Sequence, residues 1–362
     1  RFFSQRSTQD QLPKFTSTKA YIEFCSSRSD FLQAFLPRLR GRAHPNRREI
    51  IHMQPRVAVL LAAFNGTQWL KEQIDSILSQ EGVAVSLYIN VDHSSDGTED
   101  FIDQLSKSES RIHTLPYGQH YGGAAANFYH LIKNIDFKKY DFVALSDQDD
   151  IWLTKKLFTA ITNLNKSNAD SYSSNITAFW PNGKKLLINK AQQQVKWDFL
   201  FEAAGPGCTY VLTKKFAIHL QKFIATCWDA VNRINLHDWL IYAYARANGY
   251  RWFIDPYSSL LYRQHANNQV GANVGLSAFL VRAKKVLNGW GLNQSLQIAN
   301  VIGLGLNPFV SSWSKNTRLG YLLLGCQFWK CRRRIRDKFL FLIACFCLAI
   351  LPPQKNSQSS GS

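Results

Sequence analysis

Three carboxylates fall within four positions at Asp147, Asp149 and Asp150, with Gln148 among them, directly after Phe142-Val143-Ala144-Leu145-Ser146. The apolar residues read as a buried strand that stops where the acids begin. In an open α/β sheet, ligands bind beyond the carboxyl ends of the strands. Carboxylates crowded there repel one another unless a cation lies between them, and hard divalent cations take oxygen ligands. The pattern suits a metal site that holds the phosphates of a nucleotide. It also suits a solvated acidic turn leading into a helix, whose N-terminus favours negative charge.

Positioning such a cluster takes a sheet, and the preceding chain predicts one. Residues 57–63 are a continuous apolar run suited to a strand buried on both faces. The turn Phe64-Asn65-Gly66-Thr67 leads to a helix over 69–78 with Leu70, Ile74, Ile77 and Leu78 on one face. A second strand over 83–91 ends at Asp92-His93-Ser94-Ser95-Asp96-Gly97-Thr98, and a helix over 99–107 follows, capped by Ser95 or Asp96. A short strand over 112–115, the loop 118–123 and a helix over 124–135 complete the run into residues 142–146. Alternation of this kind predicts an α/β fold with a mostly parallel sheet and its loops gathered at one edge.

Beyond Trp152 the pattern changes. A helix is expected over 155–164, strands and turns over 175–190 with a hairpin at Pro181-Asn182-Gly183, and a loop at 205–207 feeding a strand. Helices follow over 213–227 and 238–248, the latter closed by Gly249, and then strands over 251–255 and 258–263. The C-terminal part is apolar and aromatic over 319–329, basic over 330–338 and apolar again over 339–351, before Pro352-Pro353. That last run is shorter than the roughly 20 residues of a spanning helix. A basic stretch beside an apolar one suits a segment lying at an anionic membrane surface, the reading favoured here over a helix packed on the core.

The 362 residues allow one large α/β domain with an appendage, and the formal charge of +18 points to phosphate-bearing partners. No zinc finger or basic heptad is present, so a membrane surface is favoured over nucleic acid. Seven cysteines without CxxC spacing argue against a disulfide framework or a zinc site, and fit a reducing cytosol. Met53 is the only methionine, and ordered patterning begins just after it. Residues 1–52 are therefore expected to be a leader outside the functional domain, with 53–275 forming that domain and 276–362 a helical, membrane-associating region with a polar tail.

The series Ala63-Phe64-Asn65-Gly66, Asp92 to Thr98, and Asp147-Gln148-Asp149-Asp150 resembles family 2 glycosyltransferases. With Trp152 and Lys155-Lys156-Leu157 added, it looks most like their bacterial rhamnosyltransferases. The resemblance covers about 55–275 and implies a GT-A nucleotide-sugar-binding fold. It implies that Asp92 binds the base or ribose of the donor, although Val91 stands where the family often has a second acid. Ala63, Phe64 and Asn65 would line the same pocket, together with Gly122 and Asn127. Asp147 and Gln148 would contact the donor. Asp149, with His265 of Tyr262-Arg263-Gln264-His265, would hold Mg²⁺ or Mn²⁺, with Asp150 and Arg263 as further donor or metal contacts.

By the same resemblance, Asp238 in Leu236-His237-Asp238-Trp239 is the catalytic base. Gly207, Cys208, Thr209 and Trp239 fall near the acceptor, although Trp239 also reads as core. The implied reaction is an inverting, metal-assisted transfer from a nucleotide sugar, with dTDP-rhamnose the first expectation and UDP-hexoses open. The acceptor is expected to be a cell-surface polysaccharide or lipid-linked glycan, met at the inner face of the cytoplasmic membrane. A nucleotidyltransferase would carry a glycine-rich loop with a basic residue after the first strand, which Phe64-Asn65-Gly66-Thr67 does not supply. A non-catalytic membrane scaffold is the other alternative.

Overall fold

The structure, a computed structural model, describes residues 54–265 and 289–350. The expected leader, the 275/276 boundary and the polar tail lie outside these residues. The first strand, β1 (Arg56–Ala63), is central, parallel to β2 (Ala84–Val91) on one side and β4 (Phe142–Ser146) on the other. Its side chains alternate between two cores. Ala58 and Leu60 enter one, while Val57, Val59, Leu61 and Ala63 enter the other. An uninterrupted apolar strand is what a sheet covered on both faces requires.

Helices α1 (Thr67–Leu78) and α2 (Thr98–Ser108) connect β1, β2 and the short β3 (Ile112–Thr114). Helix α3 (Ala124–Asn134) returns the chain to β4. The sheet continues through β5 (Ile151–Trp152), helix α4 (Lys156–Ser167), β6 (Ser171–Phe179), β7 (Lys185–Ile188) and β8 (Val211–Thr213). Helices α5 (Lys214–Thr226), α6 (Trp228–Val231) and α7 (His237–Ala247) precede the last strand, β9 (Trp252–Arg263). The order is β3-β2-β1-β4-β8-β6-β9-β5, with β7 on β6. Strands β1 to β4, β6 and β9 run one way, and β5, β7 and β8 run the other.

The acidic segment leaves β4 and enters β5, which lie four places apart in that order. On a flat sheet the gap would be about 19 Å. Five fully extended Cα steps reach at most about 18 Å, and a turn reaches less. The sheet therefore curls, and residues 147–150 bridge its open end. Two expectations change in this region. The acids lead into the short strand β5 rather than straight into a helix. The two strands read at 251–255 and 258–263 are one, with register shifts against β6 beside Asn175, opposite Asp255 and Ser258, which flank Pro256. Proline has no N–H to give to a ladder, so it sits at such an irregularity.

The C-terminal helices α8 (Trp290–Val301), α9 (Pro308–Trp313), α10 (Arg318–Cys326), α11 (Phe328–Cys331) and α12 (Ile335–Ile350) pack on the same core as α3, α5 and α7. Ile298, Val310, Trp313, Leu324 and Cys345 are their buried contributions. The basic run divides. Arg334 and Arg336 face solvent, whereas Arg333 is buried and pairs with Asp198 at 3.3 Å and Glu202 at 3.6 Å. Asp198 has no exposed surface, and it also accepts from Arg246 at 2.9 Å and the Tyr242 hydroxyl at 2.7 Å, both on α7. Removing the shared partner would leave two guanidinium groups buried without it. Asp198→Ala should therefore cost about 3–5 kcal/mol of stability, read as a lower denaturation midpoint.

Candidate functional site

The parallel strands β1, β2 and β4 deliver their C-terminal ends to one edge, where the N-termini of α1, α2 and α3 also converge. Several residues expected to touch a ligand hold this edge together. The Gln148 amide accepts from the Phe64 N–H and donates to the Phe64 carbonyl, both at 2.8 Å, so the acidic segment is clipped to the end of β1. Asn127 is buried. It accepts from the Asn90 side chain at 2.8 Å and donates to the Asn90 and Ala63 carbonyls at 3.2 and 3.4 Å. Asn65 takes a left-handed conformation (φ 45°) and accepts from the Ser95 N–H at 2.8 Å. Phe64 is half-exposed at the rim of the edge.

Asp92 is buried beneath the loop that enters α3. It accepts from the backbone N–H groups of Tyr121 at 2.8 Å and Gly122 at 3.1 Å, and from its neighbour His93. Gly122 has φ 73°, a conformation that glycine supplies without a Cβ penalty. The N-cap of α2 is Gly97 in a left-handed conformation rather than Ser95 or Asp96, and Asp96, one position earlier, serves two helices. It accepts from Thr98 N–H at 3.1 Å and from Thr67 N–H at 3.0 Å, binding the starts of α2 and α1.

Asp147, Asp149 and Asp150 form two linked groups. The donor atoms of Asp147, Asp150 and Cys208 lie within 4.8 Å of one another. Asp149 lies 2.7 Å from His265 Nε2. Burial, with Asp149 and Asp238 nearby, pushes the Asp147 carboxyl up to about 7. Burial, with Asp149 and Asp147 nearby, holds Asp150 well above the carboxylate range, and its Oδ2 has no hydrogen-bond partner. Its Oδ1 accepts from the Arg263 N–H at 3.3 Å. The Arg263 guanidinium donates to the Asp149 carbonyl at 2.9 Å and pairs with Glu72, while packing over Trp69 and Phe179. His265 stacks on Trp69 at 5.2 Å. The acids are thus pinned to β1 by Gln148 and to β9 by Arg263.

Gly207, Cys208 and Thr209 form a buried turn behind the acids, and their side chains do not line an open surface. Cys208 is held as a neutral thiol by burial and by Asp150 and Asp147. It can give a weak S–H bond to those acids, and its setting is the opposite of the electropositive one a nucleophilic thiolate needs. Lys156, in the first turn of α4, is also buried. Its ammonium lies 3.4 Å from the Trp152 ring centre without a hydrogen bond, and burial lowers its pKa to about 7. Nothing local in the sequence distinguishes it from a solvated lysine.

Asp238, in the first turn of α7, lies near enough to Asp147 to raise it and keeps a solvent-facing edge. Burial pushes its carboxyl up to about 6, opposed by the Trp239 N–H and by Lys190. The Tyr210 hydroxyl lies 3.1 Å from the Asp238 carbonyl, which anchors this turn to the Gly205–Tyr210 segment. Trp239 is core, its indole donating to the Phe199 carbonyl at 2.8 Å. His237 is buried against Phe128 at 4.1 Å, and burial drives its pKa down to about 3, so it is neutral. A Cβ on Gly207 would meet His237 Nε2 at 2.4 Å. Gly207→Ala should push α7 and Asp238 outward, costing about 1–3 kcal/mol of stability and most of the activity, while Gly183→Ala in the β6–β7 turn should leave activity intact.

A profile described as "Glycosyltransferase like family 2" matches residues 55–185. The dTDP-rhamnosyl transferase RfbG of Shigella flexneri is 43% identical over 284 residues, which is 78% of this chain and 98% of that protein. The chain belongs to the family 2 glycosyltransferases. It is an enzyme of that family, with the acids that follow β4 at the edge where its helices converge. A more distant relative, the Escherichia coli glucosyltransferase WfgD, is 25% identical over 46% of this chain and 63% of its own length. Staphylococcus aureus TarS 1–349, solved with UDP, aligns with a TM-score of 0.48 at 12% identity, over 81% of this chain and 90% of that one.

Proposed function

We propose that this glycosyltransferase moves rhamnose from dTDP-rhamnose onto a bacterial cell-surface polysaccharide or lipid-linked glycan, with inversion at the anomeric carbon. The observation that carries the reading is the 43% identity to a dTDP-rhamnosyl transferase along 98% of that protein. The donor would lie over the C-terminal ends of β1, β2 and β4, its base beside Phe64 and the Asp92-held loop. The acceptor hydroxyl would attack the anomeric carbon as the bond to the diphosphate breaks. Its proton passes to Asp238, and dTDP leaves with the electron pair. A carboxyl raised to about 6 is suited to a base working near neutral pH.

The acids fit a divalent cation. Two carboxyls, Asp147 and Asp150, are held above their ordinary range by burial and by the Asp149 charge beside them, Asp150 Oδ2 is buried without a partner, and an imidazole adjoins Asp149. Oxygen-rich donors of this kind suit Mg²⁺ or Mn²⁺. Asp149 and His265 would hold the ion, with Asp147 and Asp150 behind them. A bound ion supplies positive charge to the departing diphosphate.

The C-terminal helices would rest on the inner face of the cytoplasmic membrane. Along α12, Ile335, Phe339, Ile343, Phe346 and Ile350 form one exposed apolar stripe, while Cys345 and Leu348 face inward. Leu319, Leu322 and Leu323 form a second stripe on α10. Packing on the core and contact with a membrane thus use different faces of the same helices. No helix of the described residues is long and apolar enough to cross a membrane.

A donor-hydrolysis screen tests the catalytic reading. Purified protein with Mn²⁺ or Mg²⁺ should release nucleoside diphosphate from dTDP-rhamnose and not from UDP-glucose, UDP-galactose or GDP-sugars. Release from a UDP-hexose alone would replace the donor assignment.

A further inference from the structure

A groove of about 540 Å³ lies between the segment before Asp198 and the C-terminal helices. Trp197, Phe309 and Leu323 wall it, and Lys196 and Lys330 edge it. Trp197 stacks on Phe309 with ring centres 4.6 Å apart and planes within 8°. The Trp197 N–H donates to the Lys330 carbonyl at 2.8 Å, so a backbone bond joins the two lysine-bearing segments at one opening. Lys330 donates to the neutral Gln327 side chain at 3.0 Å, and Lys196 lies 5.2 Å from the Trp197 ring centre. No carboxylate lines the groove, and neither lysine has a carboxylate partner among the described residues. Leu323 belongs at once to this wall and to the exposed α10 stripe with Leu319 and Leu322.

The opening therefore combines unpaired cations and stacked aromatic rings with an apolar track leading away from it. A soluble anion would make no use of the leucines, and an apolar peptide would make no use of the lysines. We propose that the groove binds the phosphate headgroup of an anionic membrane phospholipid, with its acyl chains along the α10 leucines. Lys196 and Lys330 would share the phosphate, and Trp197 would sit at headgroup depth, where amphipathic rings are favoured. The proposal rests on the reading that the C-terminal helices meet a membrane, and adds to it a defined lipid site with a headgroup preference.

The test is flotation of the full chain with vesicles of phosphatidylcholine alone or doped with phosphatidylglycerol. The double variant Lys196→Gln/Lys330→Gln should weaken binding to the doped vesicles about 10- to 30-fold, as expected for two lysines near an anionic surface. Its weaker binding to neutral vesicles should persist through the apolar stripes. The exposed pair Lys138→Gln/Lys139→Gln serves as the control and should change affinity less than about twofold, since diffuse surface charge is screened beyond a Debye length. An equal loss in the control would mean a diffuse field rather than a site, and would overturn the proposal. If the unaltered protein floats with no vesicle, the membrane reading fails. The groove then stands or falls on soluble short-chain phosphatidylglycerol below its micelle concentration: perturbed Trp197 fluorescence, absent in Trp197→Phe, upholds it, and no perturbation overturns it.

Discussion

Asp238→Asn should lower kcat by about 10²- to 10⁴-fold, the range for removing a general base, while metal-dependent donor binding is kept. The Asn oxygen can still accept the Trp239 N–H bond that Asp238 accepts at 2.8 Å, so the start of α7 should hold its shape. The pH dependence follows from burial. With the carboxyl raised to about 6, the base is protonated below that pH, and the rate of the unaltered enzyme should fall with a one-proton acid limb near pH 6. Asp238→Asn should lack this limb in its residual rate.

The same shift bears on stability. The folded pKa lies above the unfolded value of 3.8, so folding penalises the ionised form. The penalty is absent below about pH 4, grows through pH 6 and is full at neutral pH, where it amounts to about 1–3 kcal/mol. The Asn variant carries no such penalty. It should melt higher than the parent at pH 7.5 and equal it near pH 4. A variant that is slow and less stable at neutral pH would indicate a structural role for Asp238 rather than a base.

The sheet was legible where local pattern and burial agree. The run Val57–Ala63 is apolar throughout because both faces of β1 are covered, and the residues before Asp147 stop being apolar where the sheet edge meets solvent. Strand β5 was not legible, because two residues carry no periodicity and Ile151 is a strand only through its partner Leu261 on β9. The candidate site was legible in its acids and less so in their support. Gln148 and Asn127 read as ligand contacts, yet their amides are engaged by backbone brought near by folding, with Phe64 84 positions from Gln148 and Ala63 64 positions from Asn127. Cys208 and Thr209 read as acceptor-facing from sequence order alone, and in the fold they are buried in the turn before β8, with the Cys208 sulfur within 4.8 Å of Asp147 and Asp150 oxygens. The basic run at 330–338 read as one stretch, suited with its apolar neighbours to an anionic membrane surface. Arg333 turns inward because Asp198 and Glu202 await it more than a hundred residues earlier, a pairing no local window contains.

Asp149→Ala should abolish metal-dependent donor binding and reduce transfer by about 10³-fold, the scale of losing one preorganised electrostatic contact to the reacting centre. Asp149 is the acid that adjoins His265, and its backbone carbonyl is held by Arg263 independently of its side chain. Truncation should therefore leave the 147–150 bridge in place and remove a ligand. Titration of Mn²⁺ by electron paramagnetic resonance should show a bound fraction in the parent that disappears in Asp149→Ala, and His265→Ala should show a weaker version of the same loss. The charge balance gives an independent sign. Asp149 raises the carboxyls of Asp147 and Asp150, so without it both should ionise at lower pH, relieving strain in the metal-free protein. The metal-free variant should then be at least as stable as the metal-free parent at neutral pH, while gaining no stabilisation from added Mn²⁺. A scaffold that kept the fold without the chemistry would show neither the Mn²⁺ signal nor its loss. A parent protein that gains no thermal stability from Mn²⁺ with dTDP would remove the cation from the proposed mechanism and leave Asp238 as its remaining element.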